Sequence, residues 1–328
     1  MTLIKTAAFA LAASAAMATA AMAQQTMRLN HNNPADHPTG QSLEFLAERV
    51  SELTDGALRI RVFHSGQLGT QRESTEMVQQ GALEMARSNA AELEAFEPLY
   101  AVLNTPFLFT SQDHNFDVLT GDIGREILEA SKDRGFVGLG FLVEGARSFY
   151  ANFPILSPDD LAGRRIRVQP SPSAIRMVEM LGASPTPIDW GELYSALQQG
   201  VVDGAENNPT AMTSVRHGEV ASHFSMNEHT MIPAVVFIST QVWNDLSEEH
   251  QAALREASQE MMAFHRELWM EIESASIEEG ERELGVTYHE VDKAPFIELV
   301  EPMIEEVAAM SDQHRDLVDR IRAMADGS

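Results

Sequence analysis

The pattern of apolar and polar positions along the chain switches repeatedly between a strand period and a helix period. Leu58, Ile60 and Val62 alternate with polar residues, and this period of two predicts a strand at 57–63. The same pattern predicts the other short elements, which are strands at 27–30 and 165–168 and helices at 42–53 and 175–181. Strands and helices that alternate in this way are typical of an α/β fold.

A much longer helix is predicted at 247–284. The segment contains no proline, apolar residues such as Leu254 and Met261 recur at helical spacing, and Ser247 before two glutamates suits a helix start. A continuous helix of this length would extend ~55 Å, whereas a domain of ~150 residues is only ~40 Å across. The helix must therefore span two domains, unless it bends near Gly280.

Residues 70–89 and 189–208 resemble each other at a constant offset. In both segments a possible N-cap, Thr70 or Asp189, is followed three residues later by a glutamate, which is the capping-box spacing. Both helices then end at Gln-Gln-Gly, with the glycine suited to a helix C-terminus. Two copies of one helix–strand unit predict two similar α/β domains. Chance similarity is the alternative, because helix–glycine–strand segments are common.

Each copy continues into a short strand, predicted at 82–86 and at 201–205, and then into polar residues. Ligands of open α/β sheets bind at the carboxyl ends of the strands. The polar segments 87–89 and 206–208 are therefore expected to face a ligand, although 206–208 could also belong to a metal loop, a catalytic carboxylate pair or a solvated turn.

Two long extended runs, at 136–150 and 231–240, are suited to connect the predicted domains. The predicted fold is α/β, a two-lobed clamshell of the periplasmic binding protein type with a long helix spanning both lobes. Its predicted divisions are a signal peptide at 1–23, lobe 1 at 24–144 plus 233–272, and lobe 2 at 145–232 plus 273–328.

Residues 1–23 have the pattern of a secretory signal peptide. Lys5 supplies a positive charge, an alanine-rich apolar run follows, and Ala21-Met22-Ala23 is a small-x-small cleavage site. A transmembrane anchor is the weaker alternative, because the run is short and rich in small residues. The chain has no cysteine, and no later stretch is long and apolar enough to span a bilayer. We therefore expect a periplasmic protein without direct membrane insertion.

The formal net charge of −26 argues against nucleic acid and anionic lipid as partners. It would also repel an anionic ligand at long range, but salt screens such repulsion beyond ~8–10 Å. An arginine ~4 Å from a carboxylate contributes several kcal/mol at an effective dielectric near 20. Locally clustered arginines therefore decide whether an anion can bind.

Arginines cluster in residues 145–180. Arg167 lies at the carboxyl end of a predicted strand, and Ser171 or Ser173 can cap the helix that follows. A helix N-terminus beside an arginine is a ready anion site, and the planar guanidinium suits both oxygens of a carboxylate. Arg147 ends an apolar run and suits either the ligand or an interdomain ion pair. Surface ion pairs are the simpler interpretation of the remaining arginines, which are Arg164, Arg165 and Arg176.

Signatures of catalysis and of metal binding are missing from the sequence. Gly138 and Gly140 lack the third glycine of a dinucleotide-binding loop, and no P-loop, His-Glu-x-x-His or Gly-x-Ser-x-Gly segment occurs. Asp203 and Glu206 could form an acid–base pair but have no nucleophile beside them. We therefore predict that the protein is not an enzyme and uses no cofactor and no metal.

The chain resembles the substrate-binding proteins of tripartite ATP-independent periplasmic (TRAP) transporters, of the dicarboxylate-binding-protein type. The resemblance covers essentially the whole mature chain and is strongest in three segments, N-T-P-F-L-F, D-L-A-G-R-R-I-R-V and L-G-A-S-P-T-P-I-D-W-G-E-L-Y-S-A-L-Q-Q-G-V-V-D-G-A-E-N-N-P. It implies two lobes that close on an organic acid and a membrane permease as partner.

The resemblance also implies which residues contact the ligand. The family's hallmark arginine in the I-R-V strand corresponds to Arg167, and the arginine of G-x-R-x-x-Y and the asparagine of D-G-x-E-N correspond to Arg147 and Asn207. Trp190 stands where other members often have phenylalanine, which leaves the pocket size open. The M-A-R-S-N segment is similar to that of members that bind sugar acids. The predicted ligand-binding residues are Arg167, Arg147, Asn207, Trp190, Arg87, Asn89, His37 and Asn208.

The sequence therefore predicts a periplasmic receptor for an organic acid, with a sugar acid such as glucuronate or galacturonate preferred. A carboxylate on Arg167, hydroxyls on amide side chains and a sugar face on Trp190 suit these residue types. A C4-dicarboxylate or 2-oxo acid receptor of the same transporter class is the first alternative. A secreted α/β enzyme and a sensor partner without transport are the others.

Overall fold

The computed structural model describes residues 24–325, which form two α/β lobes with one sheet each. The predicted signal peptide at 1–23 lies outside the described residues. The strands are β1 (Gln25–Asn30), β2 (Leu58–Phe63), β3 (Met85–Asn89), β4 (Phe136–Leu142), β5 (Arg147–Ala151), β6 (Arg165–Val168), β7 (Ser184–Pro187), β8 (Gly204–Asn207), β9 (His223–Thr230), β10 (Ala234–Ser239) and β11 (Thr287–Glu290).

Helices cover both sheets. In chain order they are α1 (Pro38–Leu53), α2 (Gln71–Gln79), α3 (Ala90–Leu93), α4 (Gln112–Thr120), α5 (Asp122–Ala130), α6 (Pro172–Met180), α7 (Leu193–Gln198), α8 (Thr210–Ser214), α9 (Thr240–Asp245), α10 (Glu248–Leu284), α11 (Ala294–Val300), α12 (Pro302–Ala308) and α13 (Asp312–Ala325). Short 3₁₀ turns lie between them, at Pro98–Asn104, Ser131–Arg134, Pro158–Leu161, Trp190–Glu192 and His217–Glu219.

The first lobe is built on a sheet with the strand order β2-β1-β3-β10-β4. β1 pairs in parallel with β2 and β3, whereas β10 runs antiparallel to β3 and β4. Apolar side chains from the strands, such as Met27, Leu29 and Phe237, meet those of the surrounding helices in one continuous core. Because β1 and β3 are parallel, their carboxyl ends lie at the same edge of the sheet.

The second lobe is built on a sheet with the order β11-β9-β5-β8-β6-β7. Successive side chains of a strand point to opposite faces, so Phe149 and Tyr150 of β5 enter two different cores. β6 and β8 are parallel neighbours, and their carboxyl ends lie side by side. The second sheet thus carries a core on each face and presents Arg167 beside Asn207.

Two crossings join the lobes, as the sequence predicted. β4 belongs to the first sheet and β5 to the second, so residues 143–146 form one connection. β9 belongs to the second sheet and β10 to the first, so residues 231–233 form the other. Each predicted extended run is therefore two strands with a short connection between the lobes.

The helix α10 is continuous over 37 residues and is capped by Ser247, as predicted. It packs against α1 and β4 of the first lobe and against α8 and β11 of the second. The possible bend at Gly280 is absent, since the helix continues to Leu284. A Cβ on Gly280 would lie 2.5 Å from the Tyr288 hydroxyl oxygen, so close packing explains this glycine.

Several predicted boundaries were wrong. β3 and β8 begin three residues later than expected, because Gly81 and Gly200, both at positive φ, are followed by turns before the strands start. Helix α1 begins at Pro38 rather than at residue 42, with the His37 side chain as its cap. The capping box forms at Thr70, but Asp189 precedes a 3₁₀ turn and its side chain caps nothing.

The C-terminal helix α13 packs on the first lobe, whereas residues 273–328 were expected in the second. Leu317, Val318 and Ile321 are fully buried in the core of the first lobe, while Phe296 and Met303 upstream belong to the second. The chain returns to the first lobe because α13 presents an apolar face at helical spacing. In the part of the chain described by the structure, no helix is both long and apolar enough to cross a membrane.

Candidate ligand-binding cleft

The cleft between the lobes encloses about 450 Å³ of atom-free space, its mouth included. The structure brings all the predicted ligand-binding residues to this cleft, and these are Arg167, Arg147, Asn207, Trp190, Arg87, Asn89, His37 and Asn208. Residues that line it but were not predicted are Asn32, Asn33, Gln71, Glu144, Gln169, Thr210, Ala211 and Ser214.

Arg167 is the most exceptional charge in the cleft. Its position on β6 leaves the side chain only 1% exposed, and its Nε donates a 2.8 Å hydrogen bond to the Ile188 carbonyl. Within residues 24–325, Nη1 has no hydrogen-bond acceptor and no carboxylate forms an ion pair with the guanidinium. Burial lowers the pKa of Arg167, although an arginine stays charged in proteins. A buried cation without an ion-pair partner is costly, so the site favours an anionic ligand.

Arg147 is also buried but is already paired within its own lobe. On the adjacent antiparallel strand, Glu206 accepts from Nε at 2.6 Å and from Nη2 at 2.9 Å. Nη2 also reaches the Glu206 carbonyl, and Nη1 donates to Asn207 Oδ1 at 2.8 Å. Burial opposes the ionisation of Glu206, but Arg147 outweighs it and lowers the pKa of Glu206 to about 2. Arg147 therefore adds no uncompensated charge to the cleft.

Arg87 in the first lobe is compensated in the same way. It forms a buried ion pair with Glu144, and its Nη1 donates to Asn32 Oδ1 at 3.1 Å and to Gln71 Oε1 at 3.2 Å. Burial alone would raise the pKa of Glu144, but Arg87 and nearby histidines hold it below its usual range. Sequence reasoning missed Glu144 because it lies in the connection between β4 and β5, outside any motif.

Three of the twelve buried side-chain polar atoms without a partner in residues 24–325 belong to residues of this cleft. They are Nε of Arg87, Nη1 of Arg167 and Oε1 of Gln169, and all three residues line the cleft. Buried polar atoms in folded proteins are nearly always hydrogen-bonded. The cleft residues therefore hold two donors and one acceptor without partners, which suits a ligand that carries both a carboxylate and hydroxyls.

The asparagines have different roles. Asn207 accepts from Arg147 and from the Asn208 N–H through Oδ1, so its Nδ2 is the group that remains to donate. Asn208 joins the lobes, because its Nδ2 donates to the Glu144 carbonyl at 3.0 Å and its Oδ1 accepts from Thr210. Asn89 caps α3 through its Oδ1, and its Nδ2 lies 3.4 Å from Glu144. Asn207 therefore offers the clearest free donor.

His37 caps α1 and faces the cleft. Its Nδ1 accepts from the Thr39 N–H at 3.1 Å, so the neutral ring carries its proton on Nε2. Burial is the largest influence and lowers the pKa of His37 to about 3. The imidazole is accordingly neutral at physiological pH and can donate one hydrogen bond without adding charge.

Trp190 lies at the edge of the cleft, on the 3₁₀ turn after β7. Its ring centroid is 5.0 Å from that of His217, and the Arg167 guanidinium carbon is 5.9 Å from the Trp190 ring. His217 Nδ1 lies 2.8 Å from the Tyr150 hydroxyl oxygen. This hydrogen bond fixes the imidazole ring that packs against Trp190. The indole is thus a half-buried aromatic ring beside Arg167.

Glu92 is a buried acid near the same arginine. It is 3% exposed and accepts one hydrogen bond, from Gln71 Nε2 at 3.2 Å. Burial raises its pKa to about 7, opposed by Arg167 and reinforced by Asp189. With Asp189 and Trp190 it lines a second cavity, which shares Asn32, Gln71 and Trp190 with the cleft.

The predicted anion site at the start of α6 is occupied by the protein itself. Ser171 caps the helix as expected, but Glu94 from the first lobe accepts from the hydroxyls of Ser171 and Ser173. Arg165 and Arg176 form the expected surface ion pairs, with Asp203 and Glu306, whereas Arg164 lies over the Phe153 ring instead. The end of this helix therefore offers no free anion site beside Arg167.

Within the described residues, no group of three or more histidine, aspartate or glutamate side chains is placed to hold a metal ion. The side chains of the cleft are of the types that bind a ligand. They combine one uncompensated guanidinium, two neutralised arginine–carboxylate pairs, amide and imidazole donors, and an aromatic face.

Known proteins are similar to this chain in sequence and in fold. The family model of bacterial extracellular solute-binding protein family 7 (DctP) matches residues 29–311. An uncharacterized protein from Salmonella typhimurium is 35% identical over 271 residues, which are 82% of this chain and 83% of that protein.

Solved structures are similar over almost their whole length. A TRAP periplasmic solute-binding protein from Xanthobacter autotrophicus with bound β-D-galacturonate has 38% identity and a TM-score of 0.88, covering 90% of this chain and 99% of that one. A second from Anaerococcus prevotii, with bound α/β-D-glucuronate, has 33% identity and a TM-score of 0.90, covering 93% and 99%. The chain therefore belongs to bacterial extracellular solute-binding protein family 7, the solute-binding proteins of TRAP transporters.

Proposed function

We propose that the protein is a periplasmic receptor that binds a hexuronate, D-glucuronate or D-galacturonate, and delivers it to a TRAP membrane permease. The observation that carries the proposal is Arg167, a buried guanidinium with a free edge in the cleft and no carboxylate partner among residues 24–325. The ligands bound by the similar TRAP proteins from Xanthobacter autotrophicus and Anaerococcus prevotii support the same class.

The balance of charge favours a ligand with a single carboxylate. Arg147 and Arg87 are each neutralised by a buried glutamate, so a second ligand carboxylate would lack a cation of its own. Glu92, beside Arg167, makes an additional negative charge still less favourable. A C4-dicarboxylate therefore fits this cleft less well than a uronate does.

The rest of the ligand would be held by neutral groups. In this proposal the carboxylate pairs with Arg167, Asn207 Nδ2 and His37 Nε2 donate to ring oxygens or hydroxyls, and Gln169 Oε1 accepts from a hydroxyl. One apolar face of the sugar lies against Trp190. Arg147, Asn89 and Asn208 then act mainly by holding these groups in place, while Arg87 Nε is an additional donor.

The class of the family implies transport rather than catalysis, and we propose that the ligand leaves the cleft chemically unchanged. A thermal-shift screen against hexuronates, C4-dicarboxylates and 2-oxo acids, followed by NMR of the best ligand after incubation, tests both points. A hexuronate at 100 times its dissociation constant should stabilise the protein by about 2.7 kcal/mol. A shift with dicarboxylates alone contradicts the ligand class, and consumption of the ligand contradicts the receptor role.

A further inference from the structure

The lobes meet at a buried carboxylate outside the cleft. Glu94 follows α3 in the first lobe, and its Oε2 accepts from the Ser171 hydroxyl at 2.7 Å in the second lobe. Its Oε1 accepts from the Ser173 hydroxyl at 2.8 Å, and the Ser173 N–H lies 3.4 Å from Oε2. Asn104 Nδ2, from the first lobe, donates to Oε2 at 3.1 Å and orients the carboxylate towards α6.

This contact is shielded from water. Glu94 is 8% exposed, and Ser171, Ser173 and Asn104 are at least as buried. Hydrogen bonds to an ionised group contribute more stability than those between neutral groups. A carboxylate at the first turn of a helix such as α6 is stabilised further by the helix dipole.

Both sides of the contact connect directly to the cleft. Glu94 ends the short helix that Asn89 caps, so it lies a few residues from the first-lobe wall. Ser171 lies two residues after Gln169 and four residues after Arg167, just beyond the end of β6. The position of Ser171 relative to Glu94 therefore sets where the Arg167 strand end stands relative to the first lobe.

We propose that Glu94 is an interlobe latch, which with Ser171 and Ser173 stabilises the closed arrangement of the lobes and thereby sets ligand affinity without touching the ligand. The latch joins residues of opposite lobes, so it forms only when the lobes meet. When they separate, water hydrates the same carboxylate and hydroxyls. The latch therefore stabilises closure rather than the folding of either lobe.

The expected change in affinity follows from the fraction of molecules in the closed conformation. When only one conformation binds, the apparent dissociation constant is the intrinsic value divided by the fraction of that conformation. Loss of one or two hydrogen bonds to a buried charge should weaken binding about 10- to 100-fold. The dissociation rate should account for most of this change, because affinity differences between related complexes arise mainly there.

The test compares Glu94→Gln and the double variant Ser171→Ala/Ser173→Ala with the unmodified protein, using D-glucuronate and D-galacturonate in titration calorimetry and stopped-flow. Asp203→Asn is the matched control, because Asp203 also binds the segment that leads to Arg167, through Arg165 at the start of β6, but at the exposed surface and within the second lobe. We expect a dissociation constant 10- to 100-fold weaker for both latch variants and a change below twofold for the control. If Glu94→Gln does not fold, the double variant still tests the latch.

A measurement of the distance between the lobes distinguishes loss of the latch from a general loss of stability. The chain has no cysteine, so Glu48→Cys and Glu298→Cys, both exposed and in opposite lobes, take one spin label each. With saturating uronate, Glu94→Gln should broaden the label distance distribution towards longer values. Unchanged affinity or unchanged distances in a folded latch variant would refute the latch. The inference rests on the proposed function only for its ligand probe: if the unmodified protein binds neither uronate, the proposed function fails instead.

Discussion

The Nε–H of Arg167 donates a 2.8 Å hydrogen bond to the backbone carbonyl of Ile188, and this bond fixes the guanidinium while its Nη1 remains without an acceptor in the described chain. Arg147 and Arg87 nearby are both paired with buried glutamates. The contrast assigns different roles to arginines that a sequence motif cannot distinguish: one is free for a ligand, and two are occupied by the protein.

The free arginine should destabilise the ligand-free protein. Arg167→Met removes a buried, uncompensated charge and keeps most of the apolar volume, so the unfolding midpoint should rise. Each kcal/mol corresponds to about 2–4 °C for a chain of this size class, and we expect a rise of about 2–8 °C in calorimetry without ligand. Arg176→Met, at an exposed ion pair, is the control and should shift the midpoint by less. A fall for Arg167→Met would mean that the guanidinium is paired after all.

The Arg147–Glu206 pair should behave in the opposite way. Removing one partner of a buried pair costs about 3–5 kcal/mol, because the other charge is left uncompensated. Arg147→Met should therefore lower the free energy of unfolding by about that amount, and Arg147→Met/Glu206→Leu should recover most of the loss. Urea denaturation of the two single variants and the double variant measures the coupling. Additive effects of the two substitutions would show that the pair is not a unit.

The raised pKa of Glu92 predicts that the effect of Glu92→Gln on stability depends on pH. Its pKa is raised by burial to about 7, from an ordinary value of 4.5, so the folded state keeps a proton that the unfolded state has lost. The folded protein is therefore penalised as pH rises from about 4.5 to 7, and the penalty is constant above that range. Glu92→Gln should stabilise the protein relative to the unmodified chain by up to about 3 kcal/mol at pH 8 and by little at pH 4.5. A pH-independent difference in denaturant unfolding would contradict this.

Trp190 should contribute to affinity through its ring face. Covering ~50 Å² of apolar sugar and indole surface is worth about 1.3 kcal/mol, or about tenfold in affinity. Trp190→Ala should weaken hexuronate binding by about this factor, whereas Trp190→Phe, which keeps an aromatic face, should stay within about threefold. Calorimetric titration of both variants decides the matter, and equal affinities for Trp190→Ala and the unmodified protein would remove the indole from the site.

Local pattern was enough to predict the architecture. Strand periodicity, capping spacing and a proline-free helical segment are short-range signals, so they indicated the two α/β units, the two crossings and the helix from Glu248 to Leu284. The C-terminal helix was placed in the wrong lobe because its apolar face, with Leu317 and Ile321, fits either core by pattern alone. Only the tertiary arrangement decides which core it covers.

Half of the sixteen residues that line the cleft were predicted from the sequence, but the electrostatics of the cleft were not. Arg167 could be singled out because a strand end in an α/β sheet marks a ligand edge. Its difference from Arg147 could not, because Glu206 lies 59 residues from Arg147 in sequence and reaches it only through the pairing of β5 with β8. Glu144, Gln71 and Glu94 carry no motif, and their partners come from distant segments.

The central claim is that Arg167 binds the carboxylate of a hexuronate, and the most direct test is calorimetric titration of D-glucuronate and D-galacturonate into the unmodified protein and Arg167→Ala. Leaving a desolvated ligand carboxylate unpaired costs about 2–5 kcal/mol, so Arg167→Ala should weaken binding about 30- to 4,000-fold while Arg176→Ala leaves it unchanged. A dissociation constant for Arg167→Ala within threefold of the unmodified protein would contradict the account.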